Sequence, residues 1–144
     1  MLDKSLPASD SVVVIGLGRF GVAVARSLRA LGHDVLAIDH DAATVQQLAD
    51  DLPHLVQADA TDLETLKQLD VGSYAHAVVS MGESLESSVL TVLNLSQIGI
   101  KDIWVKANNP AYGRVAERLG AHHVIYPEVE MGERVAHRVT GKLI

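Results

Sequence analysis

The stretch from Ser11 to Gly21, SVVVIGLGRFG, constrains this chain more than any other. Four β-branched residues, Val12 to Ile15, run straight into Gly16-Leu17-Gly18-Arg19-Phe20-Gly21. That order reads as a short buried strand, a G-x-G-x-x-G loop and the start of a helix. The three glycines answer different demands: a tight strand-to-helix turn at Gly16, close backbone approach to a pyrophosphate at Gly18, and close helix-to-sheet packing at Gly21. Amides at the start of the helix then face an anion, aided by the helix dipole.

At 144 residues the chain is long enough for one domain with a real core. Nearly half of it is apolar, 48%, with one Trp, three Tyr and one Phe, so the core is built from Val, Leu, Ile and Ala. Such a core suits a parallel sheet covered by helices. The formal net charge of −6 and the lack of a dense basic patch exclude nucleic acid as a partner. Without cysteine there are no disulfides, thiolate metal sites or cysteine nucleophiles. No apolar run approaches the ~20 residues of a membrane span, so the expected location is cytoplasmic. Residues 1–11 read as a flexible leader and 12–144 as one nucleotide-binding unit.

The chain then alternates. A helix is expected from Arg19 to Leu31, with Val22, Val24, Ala25, Leu28 and Leu31 as its apolar face and Gly32 closing it. Asp34 to Asp39 is a strand, Asp41 caps a helix over Ala42 to Asp51, and Leu55 to Ala58 is a strand. A short helix over Asp62 to Leu69 leads to a strand over Ala75 to Val79 and a long helix over Glu83 to Ile98. A strand over Asp102 to Lys106, a helix over Pro110 to Leu119, a strand over His123 to Tyr126 and a helix over Glu128 to Val139 complete it. Six strands in βα units predict an α/β, Rossmann-like, doubly wound six-stranded parallel sheet with helices on both faces.

In such sheets ligands bind outside the carboxyl ends of the strands, where strand order reverses. The first strand ends on the glycine loop. The second ends on Asp39, eighteen residues after Gly21, where an acid can accept from both ribose hydroxyls and would repel a 2′-phosphate. Its neighbour His40 does not supply the charge an NADP site wants. The third ends on Asp59-Ala60-Thr61, small and polar groups suited to an adenine edge, although Thr61 or Asp62 also reads as a helix cap. The fourth ends on Ser80-Met81-Gly82-Glu83, where Gly82 again admits close backbone approach. Lys106 ends the fifth, and Glu128 follows the sixth. These two charges can act on a phosphate, on a phosphate-held cation, or on each other. Arg19 can fold its guanidinium over terminal phosphates.

Other chemistries lack their residues. The seven histidines have no metal-ligand spacing, and His122-His123 reads as a solvated or packed pair. There is no G-x-S-x-G, no Walker loop and no Tyr-x-x-x-Lys. The sequence ends soon after the last helix, leaving no room for a dehydrogenase's substrate domain.

Together VVVIGLGRFG, LAIDHD, ADAT, VVSMGES, IWVKANN and YPEVEMGERVA resemble, in order, the N-terminal nucleotide-binding domain of RCK proteins. These are Trk/Ktr-type potassium transport regulators, and the domain is also called KTN or TrkA-N. The resemblance implies a regulatory gating subunit rather than an enzyme, sensing ATP or ADP, with NAD(H) preferred by Trk-type members. It places Arg19 and Lys106 at the terminal phosphates, Asp39 at the ribose, and Asp59, Ala60 and Thr61 at the adenine. Glu128 falls near the γ-phosphate at a dimer interface, where Mg or another cation could join it. It further implies homodimers, octameric rings and a membrane-embedded potassium channel or transporter subunit as partner, held at the inner face of the membrane. Full-length relatives continue into an RCK-C lobe, which binds cyclic di-AMP in several members and is absent after Val139. An NAD-dependent oxidoreductase fragment and the sensor domain of a potassium efflux antiporter are the alternatives.

Overall fold

A computed structural model describes residues 10–82 and 84–141. The expectations for residues 1–9, for Glu83 and for residues 142–144 lie outside the described residues. Strands β1 (Val12–Ile15), β2 (Val35–Asp39), β3 (Leu55–Gln57), β4 (His76–Val79), β5 (Ile103–Lys106) and β6 (His123–Ile125) alternate with helices. The helices are α1 (Arg19–Ala30), α2 (Ala42–Leu48), α3 (Leu63–Gln68), α4 (Leu85–Ile98), α5 (Pro110–Leu119) and α6 (Pro127–Val139). All five strand pairings are parallel, in the order β3-β2-β1-β4-β5-β6. The expected sheet is therefore present, and the order reverses between β1 and β4.

Burial follows from that position. Val12 to Ile15 of β1 are all buried, as a strand with helices on both faces requires. Alternation splits them between two clusters: Val13 and Ile15 with Val79, Leu95, Ile103 and Val105 on one face, Val12 and Val14 with Ala25, Ala37 and Leu52 on the other. Ser11, at the end of the expected leader, is 4% exposed, and its hydroxyl and carbonyl accept from the amides of Ala75 and His76. It fastens the start of β1 to β4.

Several element ends differ from expectation. Helix α2 stops at Leu48 rather than Asp51, because the Asp51 and Leu52 amides both turn back to the Leu48 carbonyl and bury Leu52. Leu31 does not join the apolar face of α1; it is the C-cap residue and 72% exposed. A 3-10 turn over Val71–Ser73, entered through Asp70 at φ +58°, was not anticipated and sinks Val71 into the core. On α4 the core takes Val92 and Leu95, while Leu85 and Leu90 face outward. No described side chain of α6 is buried.

Candidate functional site

A cleft of about 580 Å³ opens over the carboxyl ends of β1 to β4, at the reversal of strand order. That size lies within the ordinary range of small-ligand pockets. Its floor is the glycine loop. Gly16 has φ +94°, and a Cβ there would stand 2.4 Å from the Ser80 carbonyl oxygen. Gly21 does not line the cleft; a Cβ there would stand 1.9 Å from the Gly16 carbonyl oxygen, so its absence lets α1 close against the loop. Gly18 is different: nothing lies within 4 Å of where its Cβ would be. Gly18, Leu17, Arg19 and Phe20 all line the cleft.

Helices α2, α3, α4 and α5 are each capped by a side chain, that of Asp41, Asp62, Ser84 and Asn109 respectively. Helix α1 is not. Gly18 is its N-cap and makes no side-chain hydrogen bond, and its first turn has no acid. An anion would supply what the amides at this helix start lack.

Asp39 ends β2 with its carboxylate already partly engaged. Oδ2 accepts from the Leu17 amide at 2.8 Å and Oδ1 from the Asp41 amide at 2.9 Å. His40 lies beside it, Nδ1 to Oδ1 at 3.6 Å, and its carbonyl accepts from Gln57 Nε2. Asp59, expected at an adenine amine, spends Oδ1 on the amide and hydroxyl of Thr61 at 2.9 and 2.6 Å. Those bonds hold the Asp59 carboxyl below its ordinary value of 3.8, against a smaller opposing effect of burial. Ala60 is buried, and its carbonyl accepts from Asn94 of α4.

Lys106 ends β5, on the other side of β1 from Asp39. Lys106 Nζ stands 3.8 Å from Glu128 Oε2 and 5.9 Å above the Phe20 ring. Arg19, Met81 and Gly82 line the cleft as well as Lys106 and Glu128. Among the described residues no cluster of three or more His, Asp or Glu side chains could hold a metal. Glu128 could therefore hold a cation only together with oxygens from a ligand.

Sequence reasoning missed Ser84 and Ser87, which line the cleft from the first turn of α4. Ser84 Oγ accepts from the Ser87 amide, and this S-x-x-S spacing before an apolar run was the available signal. It also missed a second cavity of about 360 Å³ that shares Met81, Gly82, Ser84 and Lys106 with the first. That cavity runs on past Asn108 and Tyr112 to Leu85 and Val115.

Residues 12–127 match the model of the TrkA-N domain family. The chain is 39% identical over 126 residues to Ktr system potassium uptake protein C of Bacillus subtilis, covering 88% of this chain and 57% of that one. It is 37% identical to Ktr system potassium uptake protein A of Vibrio alginolyticus, covering 91% and 60%. The chain thus spans somewhat over half the length of these relatives. Among solved structures, the NAD(P)-binding domain of an exopolyphosphatase-related protein from Archaeoglobus fulgidus superposes with a TM-score of 0.79 at 23% identity, covering 91% and 98%. GsuK bound to ADP superposes at 0.75 with 21% identity, covering 90% and 33%; GsuK has also been solved bound to NAD.

Proposed function

The chain belongs to the TrkA-N domain family, and from that premise we propose that it is a non-catalytic adenine-nucleotide sensor, the regulatory part of a potassium uptake system. One observation carries this reading. The start of α1, with no side-chain cap and no acid in its first turn, opens on a cleft that Arg19 also lines, with Lys106 at the end of β5 on one side of β1 and Asp39 at the end of β2 on the other. A nucleotide has the matching polarity: phosphates for the amides and cations, ribose hydroxyls for the carboxylate, and an adenine for the wall of Ala58, Ala60 and Thr61. The glycine loop would serve any such ligand alike.

Discrimination between ATP and ADP would therefore rest on Arg19, Lys106 and Glu128. A ligand shifts a conformational equilibrium only by its difference in affinity for the two states. A γ-phosphate held by Arg19 and Lys106, with Glu128 and a Mg ion beside it, would favour one arrangement of neighbouring copies over another. The surface for such a copy is α6, whose Val129, Met131, Val135 and Val139 are 50–78% exposed. An amphipathic helix with no buried side chain is incomplete by itself. Homodimers, assembled into a ring against a membrane-embedded potassium transporter subunit, would carry the signal. No helix among the described residues is long and apolar enough to cross a membrane, so this reading has the chain peripheral, at the cytoplasmic face.

The adjoining 360 Å³ cavity favours a second ligand, NAD(H), because it would receive a second nucleoside beyond the phosphates. Calorimetry with ATP, ADP and NADH on wild type and Arg19→Ala tests both. Tighter ATP binding, lost more for ATP than ADP in the variant, is expected. Equal losses remove the γ-phosphate role, tighter NADH binding favours the second ligand, and no binding of any of the three overturns the reading.

A further inference from the structure

The sheet's other end, away from the cleft, gathers imidazoles and carboxylates where β4, β5 and β6 begin. Asp102, just before β5, accepts from three directions. Its Oδ2 lies 2.6 Å from His76 Nδ1 and accepts from Trp104 Nε1 at 2.9 Å, and its Oδ1 lies 3.1 Å from His123 Nε2. The His123 ring stacks on Trp104 at 4.0 Å between centroids, 22° from parallel. His122, one residue earlier, does the reverse job: its Nδ1 accepts from the backbone N–H of Ile103 at 2.9 Å.

Two adjacent histidines thus answer a proton in opposite senses. A protonated His123 or His76 is a cation against the Asp102 carboxylate, and His123 is then also a cation on the Trp104 face. A protonated His122 carries N–H on both ring nitrogens and can no longer accept from Ile103. Charged and titratable side chains at these strand starts include Tyr74 and His76 at β4, Lys101 and Asp102 at the turn into β5, and His122 and His123 at the entry to β6, and Asp34 and Asp70 act on Tyr74. Asp10, before β1, is engaged by His33 at 2.8 Å.

What these contacts hold is one of the two three-residue edge strands. β6 is three residues long, sits at the sheet edge, pairs with β5 alone and leads directly into α6. We propose that the start of β5 and β6 is a proton-responsive latch: on acidification the His122–Ile103 strut opens while His76 and His123 close as cations on Asp102, reseating β6 and the helix it carries. The latch stands apart from the nucleotide cleft, and its test needs no ligand.

Trp104 is the single tryptophan of the chain, so intrinsic fluorescence reads the His123 stack. Titration of the full chain from about pH 8.5 to about pH 5, the span in which imidazoles change charge, is expected to quench the emission in one transition. His123→Gln should abolish that transition. Amide exchange at Ile103, corrected for its intrinsic pH dependence, should lose protection on the acid side in wild type. His122→Gln, whose amide oxygen accepts at any pH, should remove that loss and keep the fluorescence transition. Flat emission, a transition unchanged in His123→Gln, or Ile103 protection independent of pH overturns the latch. If a variant does not fold, ring-proton NMR of wild type decides: His123 titrating without a matching shift of the Trp104 indole N–H overturns it, and matched shifts support it.

Discussion

The backbone N–H of Leu17 donates to Asp39 Oδ2 at 2.8 Å, tying the glycine loop to the end of the neighbouring strand. The other oxygen of the same carboxylate accepts from the Asp41 amide at 2.9 Å. Asp39 is therefore structural before any ribose arrives. An asparagine has one acceptor oxygen, so Asp39→Asn would turn an amide NH₂ toward one of those two N–H groups. The side chain is 12% exposed, and water cannot fully replace the lost acceptor. A loss of about 1–3 kcal/mol is expected. Urea melts with the midpoint unchanged would show that the two backbone contacts contribute nothing.

The glycines separate structure from binding. Gly16→Ala and Gly21→Ala would force a methyl into carbonyl oxygens at 2.4 and 1.9 Å, and at Gly16 also into a left-handed backbone. Each is expected to cost about 3 kcal/mol or more. Gly18→Ala meets nothing within 4 Å in the free protein, and should change stability by less than about 0.5 kcal/mol. If a pyrophosphate lies against the loop as proposed, the added methyl would crowd it, and nucleotide affinity should fall at least tenfold, roughly 1.4 kcal/mol. Thermal melts and calorimetry on the three variants check this. Gly18→Ala binding at wild-type strength would place the phosphates elsewhere.

Why some of this was legible in sequence and some not has a physical basis. β1 reads clearly because a strand buried on both faces must be continuously apolar, and two of the three glycines stand where a Cβ would come within 2.4 Å of a carbonyl oxygen. Asp41 and Asp62 announce helices because capping is local. The engagement of Asp39 with Leu17 joins residues 22 apart, and that of Asp102 with His76 joins residues 26 apart; no local pattern encodes either. Asp59 lines the cleft as a ligand group would, and its Oδ1 also bonds Thr61 two residues on, the local contact that the helix-cap reading of this turn suggested. His122 and His123 were expected to be a bland pair, yet one is a backbone acceptor and the other a carboxylate partner, because they start an edge strand facing opposite ways. The division of α4 between Val92 and Leu85 depended on where β4 and β5 would lie.

Acid should unfold the protein through Asp59 and Asp102. Thr61 hydrogen bonds hold the first below its ordinary value. For Asp102 burial is the largest single influence and acts upward, but the Trp104 and His76 hydrogen bonds with the two imidazole charges outweigh it. Both carboxyls then titrate lower folded than unfolded. Their stabilisation is fully present above the unfolded value near 3.8 and is lost as pH falls through the folded values. With the imidazoles already charged, stability measured by urea melts should stay level from about pH 5 to about pH 4 and drop below it. Asp102→Asn should flatten part of that acid drop; an acid limb identical to wild type would mean that Asp102 contributes none of it.

The Lys106–Glu128 pair should matter little to the fold and much to the phosphates. At 3.8 Å, with Glu128 72% exposed, the pair is a rim contact in high dielectric. Glu128→Gln is therefore expected to change unfolding free energy by less than about 1 kcal/mol. A lone carboxylate beside Arg19 and Lys106 repels a triphosphate unless a cation stands between them. If Glu128 shares a Mg ion with the γ-phosphate, Glu128→Gln lowers ATP affinity in the presence of Mg and leaves ADP affinity nearly unchanged. If it does not, the variant binds ATP more tightly than wild type with or without Mg, because an opposing charge has been removed. The first result is expected. Calorimetry with ATP and ADP, each with Mg and with a chelator, separates the two, and a rise in Mg-free ATP affinity with no Mg effect would remove Glu128 from the cation site.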